Sequence, residues 1–217
     1  MAVIRRLLES PALFHLLNSI LGRLNDVNVR CLTRVLQLEA TSRVLDVGCG
    51  TGRYATLWGC RYVGLDTDTA YLRFARRQYG DHFVQADAAR LPIAGRRFDA
   101  AFCVGVLHHC DDAHVGRIVH EMRRATRDGG TIVMLEPLAP EPGDGWIRRR
   151  LARLERGAHF RRFRPLTTLL TQHLGSGLQA WREHTRPFDL GLYWVPVTIS
   201  VDPIAAGSER QPTGVGE

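Results

Sequence analysis

The sequence contains no lysine, no CxxC pair, and no apolar run approaching the roughly 18 residues that a membrane span needs. The last absence argues against a transmembrane helix. The five cysteines, Cys31, Cys49, Cys60, Cys103 and Cys110, are odd in number and scattered, which argues against a disulfide framework and a structural zinc site and points to the cytoplasm. The missing lysine is the bias of a GC-rich genome and carries no functional weight. No internal repeat is present. What remains is an ordinary globular composition, 45% hydrophobic and 24% charged over 217 residues, which suits one domain. A net charge of +7 favours anionic partners such as phosphorylated metabolites, nucleic acid or a membrane surface, without choosing among them.

Early arginines precede a leucine-rich N-terminus, but Glu9, His15, Asn18 and Arg23 interrupt it, so it reads as an amphipathic helix rather than a secretion signal. Leu13, Leu16, Leu17, Ile20, Leu21 and Leu24, then Val27, Val29, Leu32, Val35 and Leu36, recur at helical spacing, with Asn25 and Asp26 separating two expected helices. Beyond them, short apolar runs at 43–47, 61–65, 82–86, 98–104 and 131–136 alternate with helical segments, the pattern of βαβ units. Asp68 and Gly80 should bound one helix; Asp111 or Asp112 and Gly129 should bound the next, whose apolar face is Val115, Ile118, Val119 and Met122. Segments 179–185 and 192–201 read as a hairpin of two further strands. The expected fold is therefore α/β, a Rossmann-like seven-stranded, mostly parallel sheet with helices on both faces and one antiparallel C-terminal strand. Residues 1–40 would cap the site, 41–204 form the domain with a basic helical insert at about 137–175, and 205–217 form a mobile tail.

The strongest signal is VLDVGCGTGRY at 44–54, where a buried strand ends in Asp46 and glycines follow at 48, 50 and 52 before an expected helix. Glycine permits a sharp turn and lets a ligand approach bare backbone, while amides at a helix start favour a carboxylate. The GxGxG spacing departs from the GxGxxG of dinucleotide sites and argues against NAD. Only 13 residues lie between Gly52 and Asp66, so the crossover helix there should be short, near two turns.

From these residues the chain resembles the class I S-adenosylmethionine-dependent methyltransferases, in particular the branch of ubiquinone and menaquinone C-methyltransferases and related small-molecule enzymes, over about residues 40–136. The resemblance implies that Asp46 orients the methionine amino group and that Gly48, Cys49 and Gly50 contact methionine and ribose. Asp66, with Thr67 beside it, closes the second strand, where a carboxylate can accept from both ribose hydroxyls. The resemblance further places Asp87 and Ala88, in QADAARLP, at the adenine, and Val104 and Gly105, in RFDAAFCVGVLHHCDD, under the methionine.

His108, His109, Cys110, Asp111, Asp112 and His114 cluster after the fourth strand, but adjacent residues point in different directions, so no metal site is expected. Two readings of His108 and His109 stand together: a general base that takes the acceptor's proton, or loop histidines that cap the next helix and close over the ligand. Glu136 ends the fifth strand and either binds the acceptor or pairs with an arginine. Eight arginines between Trp146 and Arg164 mark a basic amphipathic helix, which attracts an anionic acceptor, RNA or lipid, or is a solvated face.

Methyl transfer from a sulfonium asks the protein mainly to hold the acceptor aligned, close and away from water. The expected function is accordingly a methyltransferase acting on a small-molecule or lipid-like acceptor. A tRNA methyltransferase is the second reading, weakened by the lack of an appended RNA-binding module, and a non-catalytic nucleotide-binding module is the third.

Overall fold

The computed structural model describes residues 27–143, 146, 149, 157–175, 178–182 and 197–201. The expected first N-terminal helix, the 205–217 tail and nearly all of the arginine-rich helix lie outside them. The elements run α1 (Val27–Val35), β1 (Arg43–Val47), β2 (Arg61–Asp66), α2 (Thr69–Tyr79), β3 (Phe83–Gln85), β4 (Phe98–Val104), a 3-10 turn (Leu107–His109), α3 (Asp112–Ala125), β5 (Thr126–Glu136), α4 (Phe163–Leu174), β6 (Leu178–Arg182) and β7 (Val197–Val201).

The sheet order is β3-β2-β1-β4-β5-β7-β6, with β1 to β5 parallel and β7 antiparallel to both β5 and β6. From β1 the chain steps outward through β2 and β3, then returns to the other side of β1 with β4. Strand order reverses there, which opens the crevice above the carboxyl ends of β1 and β4 where open α/β sheets bind ligands.

Strand alternation divides the interior into two cores. Leu45, Val47, Ala101, Cys103, Ile132 and Met134 meet α3 and α4 on one face; Val44, Ala100, Phe102, Val133 and Leu135 meet α1 and α2 on the other. Both faces are covered, so these strands carry apolar residues at successive positions. Val115, Ile118, Val119 and Met122 of α3 are fully buried, each worth roughly 1.5–3 kcal/mol relative to exposure. In α4, Leu166, Leu170 and Leu174 recur every fourth residue and bury the same way.

The helix starts follow the capping signals. Asp68 accepts from the amides of Ala70 and Tyr71, Gly80 closes α2 with φ 102°, and Asp111, rather than Asp112, caps α3 by accepting from His114.

Two expectations are corrected. No helix follows Gly52: residues 51–60 form successive turns, with i to i+3 bonds from Gly52 to Cys49, Ala55 to Gly52 and Leu57 to Tyr54. The segment is short, Gly59 sits at φ 63°, and Tyr54 and Trp58 are held edge-on against Phe102 with ring centroids 5.7 Å away. The turn therefore offers individual amides rather than a helix dipole. Gly129 does not stop α3 either. The helix ends at Ala125, where the Thr126 amide and hydroxyl both donate to the Met122 carbonyl. Strand β5 starts at once, pairing Thr126 with Phe98 and then Thr131 with Ala100, so Gly129, at φ 74°, lies in the irregularity between these pairs.

Candidate functional site

The glycines of the first turn differ in what surrounds them. A Cβ on Gly48 would lie 2.4 Å from the Val106 Cγ2, and one on Gly52 would lie 2.7 Å from the Phe83 ring. A Cβ on Gly50 would meet nothing within 4 Å. All three have positive φ, at 75°, 53° and 76°, which suits glycine alone at no cost. The turn is thus closed by protein at Gly48 and Gly52, and bare backbone faces open space at Gly50.

Asp66 straps this turn to β2. Its Oδ2 accepts from the Gly50 amide and its Oδ1 from the Asp68 amide, both at 2.8 Å. Each carboxylate oxygen keeps a second lone pair for a ligand hydroxyl. The Leu65 carbonyl accepts from both the Gly48 and Cys49 amides, at 2.7 and 2.8 Å. Thr67 offers its carbonyl to Gln85 Nε2 at 3.3 Å.

Asp46 is buried at 1% exposure and its Oδ2 accepts from the Tyr62 hydroxyl at 2.6 Å. Burial pushes its carboxyl up to about 7; the Tyr62 hydrogen bond offsets part of this, and the charge of Asp66 adds to it. Burial, then the charges of Asp46 and Asp66, push the Cys49 thiol up, so it stays a neutral thiol that packs in the turn.

Farther along the rim, Asp87 Oδ1 accepts from the Ala89 amide at 2.8 Å and lies 3.5 Å from His114 Nε2. Ala88 packs on the core beneath α3. Val104 is half-buried on the opposite face, and the Gly105 amide donates to the Leu135 carbonyl at 2.8 Å with φ 67°. Asp46, Gly50 and Asp66 are brought together; Asp87 stands apart beside His114.

Glu136 departs from both sequence readings. It is 1% exposed, its Oε1 accepts from the Val106 and Leu107 amides at 2.8 Å each, and its Oε2 accepts from the His108 amide at 3.2 Å and faces His108 Nδ1 at 2.9 Å. Entry into the 3-10 turn leaves three amides without backbone partners, and a carboxylate has enough lone pairs to take them all. Glu136 therefore shapes the loop after β4 rather than presenting itself at the rim, and its side-chain partner is a histidine rather than an arginine.

His108 is likewise enclosed. Its ring stacks on Phe160 at 4.8 Å and 26°, its Cδ2 lies 2.2 Å from where a Gly157 Cβ would stand, and its Nδ1 lies 2.9 Å from Glu136 Oε2. This placement fits the loop-closing reading better than that of a base. His109 is exposed, with its ring 4.1 Å from that of His108. Among the described residues no group of three or more His, Cys, Asp or Glu converges as metal ligands would, and no helix is long and apolar enough to cross a membrane.

Sequence reasoning missed Tyr62, Val106, Phe160 and Arg161. Tyr62 had a signal: it sits one strand over from Asp46 with the parity that puts both on the α1 and α2 face. The other three had none.

Residues 45–134 match the family described as methyltransferase domain. A malonyl-acyl-carrier-protein O-methyltransferase from Enterobacter lignolyticus is 36% identical over 112 residues, which cover 48% of this chain and 44% of that one. The enzyme of that name from Yersinia pestis is 30% identical over 148 residues, covering 65% and 51%. The chain thus spans about half the length of the curated relatives it matches. Among solved structures, geranyl diphosphate C-methyltransferase from Streptomyces coelicolor A3(2) superposes with TM-score 0.64 at 15% identity, over 84% of this chain and 80% of that one, a likeness of fold. Residues 45–134 are thus similar to a methyltransferase domain, carried on a sheet whose switch point lies at β1 and β4 beside the Gly50 turn.

Proposed function

We propose that the chain binds S-adenosylmethionine above the carboxyl ends of β1, β2 and β4 and transfers its methyl group to an oxygen of a small anionic acceptor, an acyl carboxylate of the kind that the malonyl-acyl-carrier-protein relatives' names specify. The observation that carries the cofactor reading is the open backbone at Gly50, flanked by the buried carboxyl of Asp46 and the rim carboxylate of Asp66. An ammonium group beside Asp46 would draw off the proton that burial favours, so the site suits an amino-acid headgroup. Asp66 retains lone pairs for the ribose hydroxyls, and Gly48, Cys49 and Thr67 frame them. Asp87 and Ala88 stand where the adenine would lie, and Val104 and Gly105 where the methionine would pass.

The bound cofactor supplies an electrophilic methyl on a sulfonium. The protein's share is alignment and exclusion of water. A carboxylate acceptor is already anionic at neutral pH and needs no base, which agrees with the enclosure of His108 and leaves the exposed His109 no proton to take. The net charge of +7 favours an acceptor of this sign. Pairing of β6 and β7 beyond β5 supports the complete seven-stranded arrangement with one antiparallel strand, and five free cysteines suit the reducing cytoplasm.

Calorimetry with S-adenosylhomocysteine and NAD, followed by transfer of labelled methyl to a malonyl thioester, tests the reading. Binding of the sulfur ligand alone and label in a methyl ester support it; binding of NAD alone defeats it. Label recovered in tRNA instead would establish the second reading of the acceptor.

A further inference from the structure

We propose that Arg161 is a positioning residue that staples the segment 157–161 onto the loop after β4 and so fixes one wall of the acceptor site; this rests on the methyltransferase reading above. Its guanidinium has five N–H donors, and five contacts use them. Nε and Nη2 donate to Asp112 Oδ1 at 2.8 and 2.6 Å, Nη2 also to the Cys110 carbonyl at 2.7 Å, and Nη1 to the Leu107 and His159 carbonyls at 2.9 and 3.1 Å. The Arg161 carbonyl in turn accepts from the Ala139 amide at 2.9 Å, just past β5. Its side chain is 12% exposed. With every donor committed, Arg161 is not available to bind an anion, and its role is to hold chain to chain.

What it holds is placed to matter. The His159 amide donates to the His108 carbonyl at 2.9 Å, and Phe160 stacks on the His108 ring. The same loop, pinned from below by Glu136, carries Val106 onto Gly48. Arg161 thus joins the segment before α4 to the loop that touches the Gly-rich turn, through residues 49 to 54 positions away in sequence. A lysine places a single point charge there and does not bridge three carbonyls and a carboxylate.

Steady-state kinetics with a malonyl-acyl-carrier-protein acceptor, calorimetry with S-adenosylhomocysteine, and amide hydrogen exchange on wild type, Arg161→Lys, Arg161→Ala and Asp112→Ala test this. The acceptor KM should rise about ten- to hundredfold in both Arg161 variants, with a smaller change in kcat and S-adenosylhomocysteine affinity within about twofold of wild type. Exchange should accelerate at the His159 and Ala139 amides and stay slow in β1 and β4. Asp112→Ala should move KM and exchange in the same direction and by less, which keeps the test open should Arg161→Ala not fold. Full rescue by lysine, or wild-type exchange at His159 and Ala139 in a folded variant, overturns the staple, and the exchange readout stands even if the malonyl probe is not turned over. Failure of the wild type to bind S-adenosylhomocysteine would instead remove the methyltransferase reading.

Discussion

The Tyr62 hydroxyl donates to the Asp46 carboxylate across 2.6 Å between neighbouring parallel strands, with both residues buried. This bond partly compensates a carboxyl that burial pushes up to about 7. Ligand affinity should follow the ionisation of Asp46, since an ammonium headgroup pairs with the carboxylate and not with the acid. Raising the pH from 6 to 8 should tighten S-adenosylhomocysteine about tenfold, with proton release in calorimetry at the lower pH, and Asp46→Asn should abolish the trend. A flat pH profile in the wild type would remove Asp46 from the headgroup site.

The same carboxyl has a stability signature of defined sign. Between its ordinary value of 3.8 and about 7 the folded chain keeps a proton that the unfolded chain has lost, so the folded state loses stability as pH rises across that window. Urea unfolding of wild type and Asp46→Asn should therefore diverge with pH, the variant gaining by up to a few kcal/mol at pH 8 relative to pH 4. Parallel stability profiles would show that Asp46 is ionised in the folded chain across the range.

Tyr62→Phe removes the hydroxyl and leaves Asp46 without its donor. The cost should be about 1–3 kcal/mol in chemical denaturation, and the Asp46 carboxyl should move higher still, weakening S-adenosylhomocysteine at pH 7. An unchanged denaturation midpoint would contradict this.

Glu136→Gln should be more damaging than its size suggests. The amide oxygen can still take the Val106 and Leu107 amides, but its NH2 then opposes the His108 amide, setting donor against donor in a buried place. The expected loss is about 2–4 kcal/mol, together with weaker cofactor binding because Val106 no longer seats on Gly48. Denaturation with and without S-adenosylhomocysteine reads both effects.

Local signals were the legible ones. The apolar runs marked the strands, Asp68 and Asp111 marked helix starts, and GxGxG after Asp46 marked the turn at the switch point, because each is a property of neighbouring residues. The turns after Gly52 were not legible, since aromatic packing of Tyr54 and Trp58 on Phe102, a residue 48 and 44 positions later, overrides the local pattern. Glu136 carried no mark of its partners 28 to 30 positions earlier, and Arg161 looked like any other member of an arginine-rich run until the fold placed three carbonyls around it.

Gly50→Ala offers the most direct test. The added methyl meets no protein atom within 4 Å and the left-handed backbone costs about 1–2 kcal/mol, so the variant should fold with wild-type cooperativity. Calorimetry on that variant should show S-adenosylhomocysteine binding lost, because the methyl occupies the space against which the ligand must lie; a folded Gly50→Ala that binds with wild-type affinity would contradict the cofactor site proposed above.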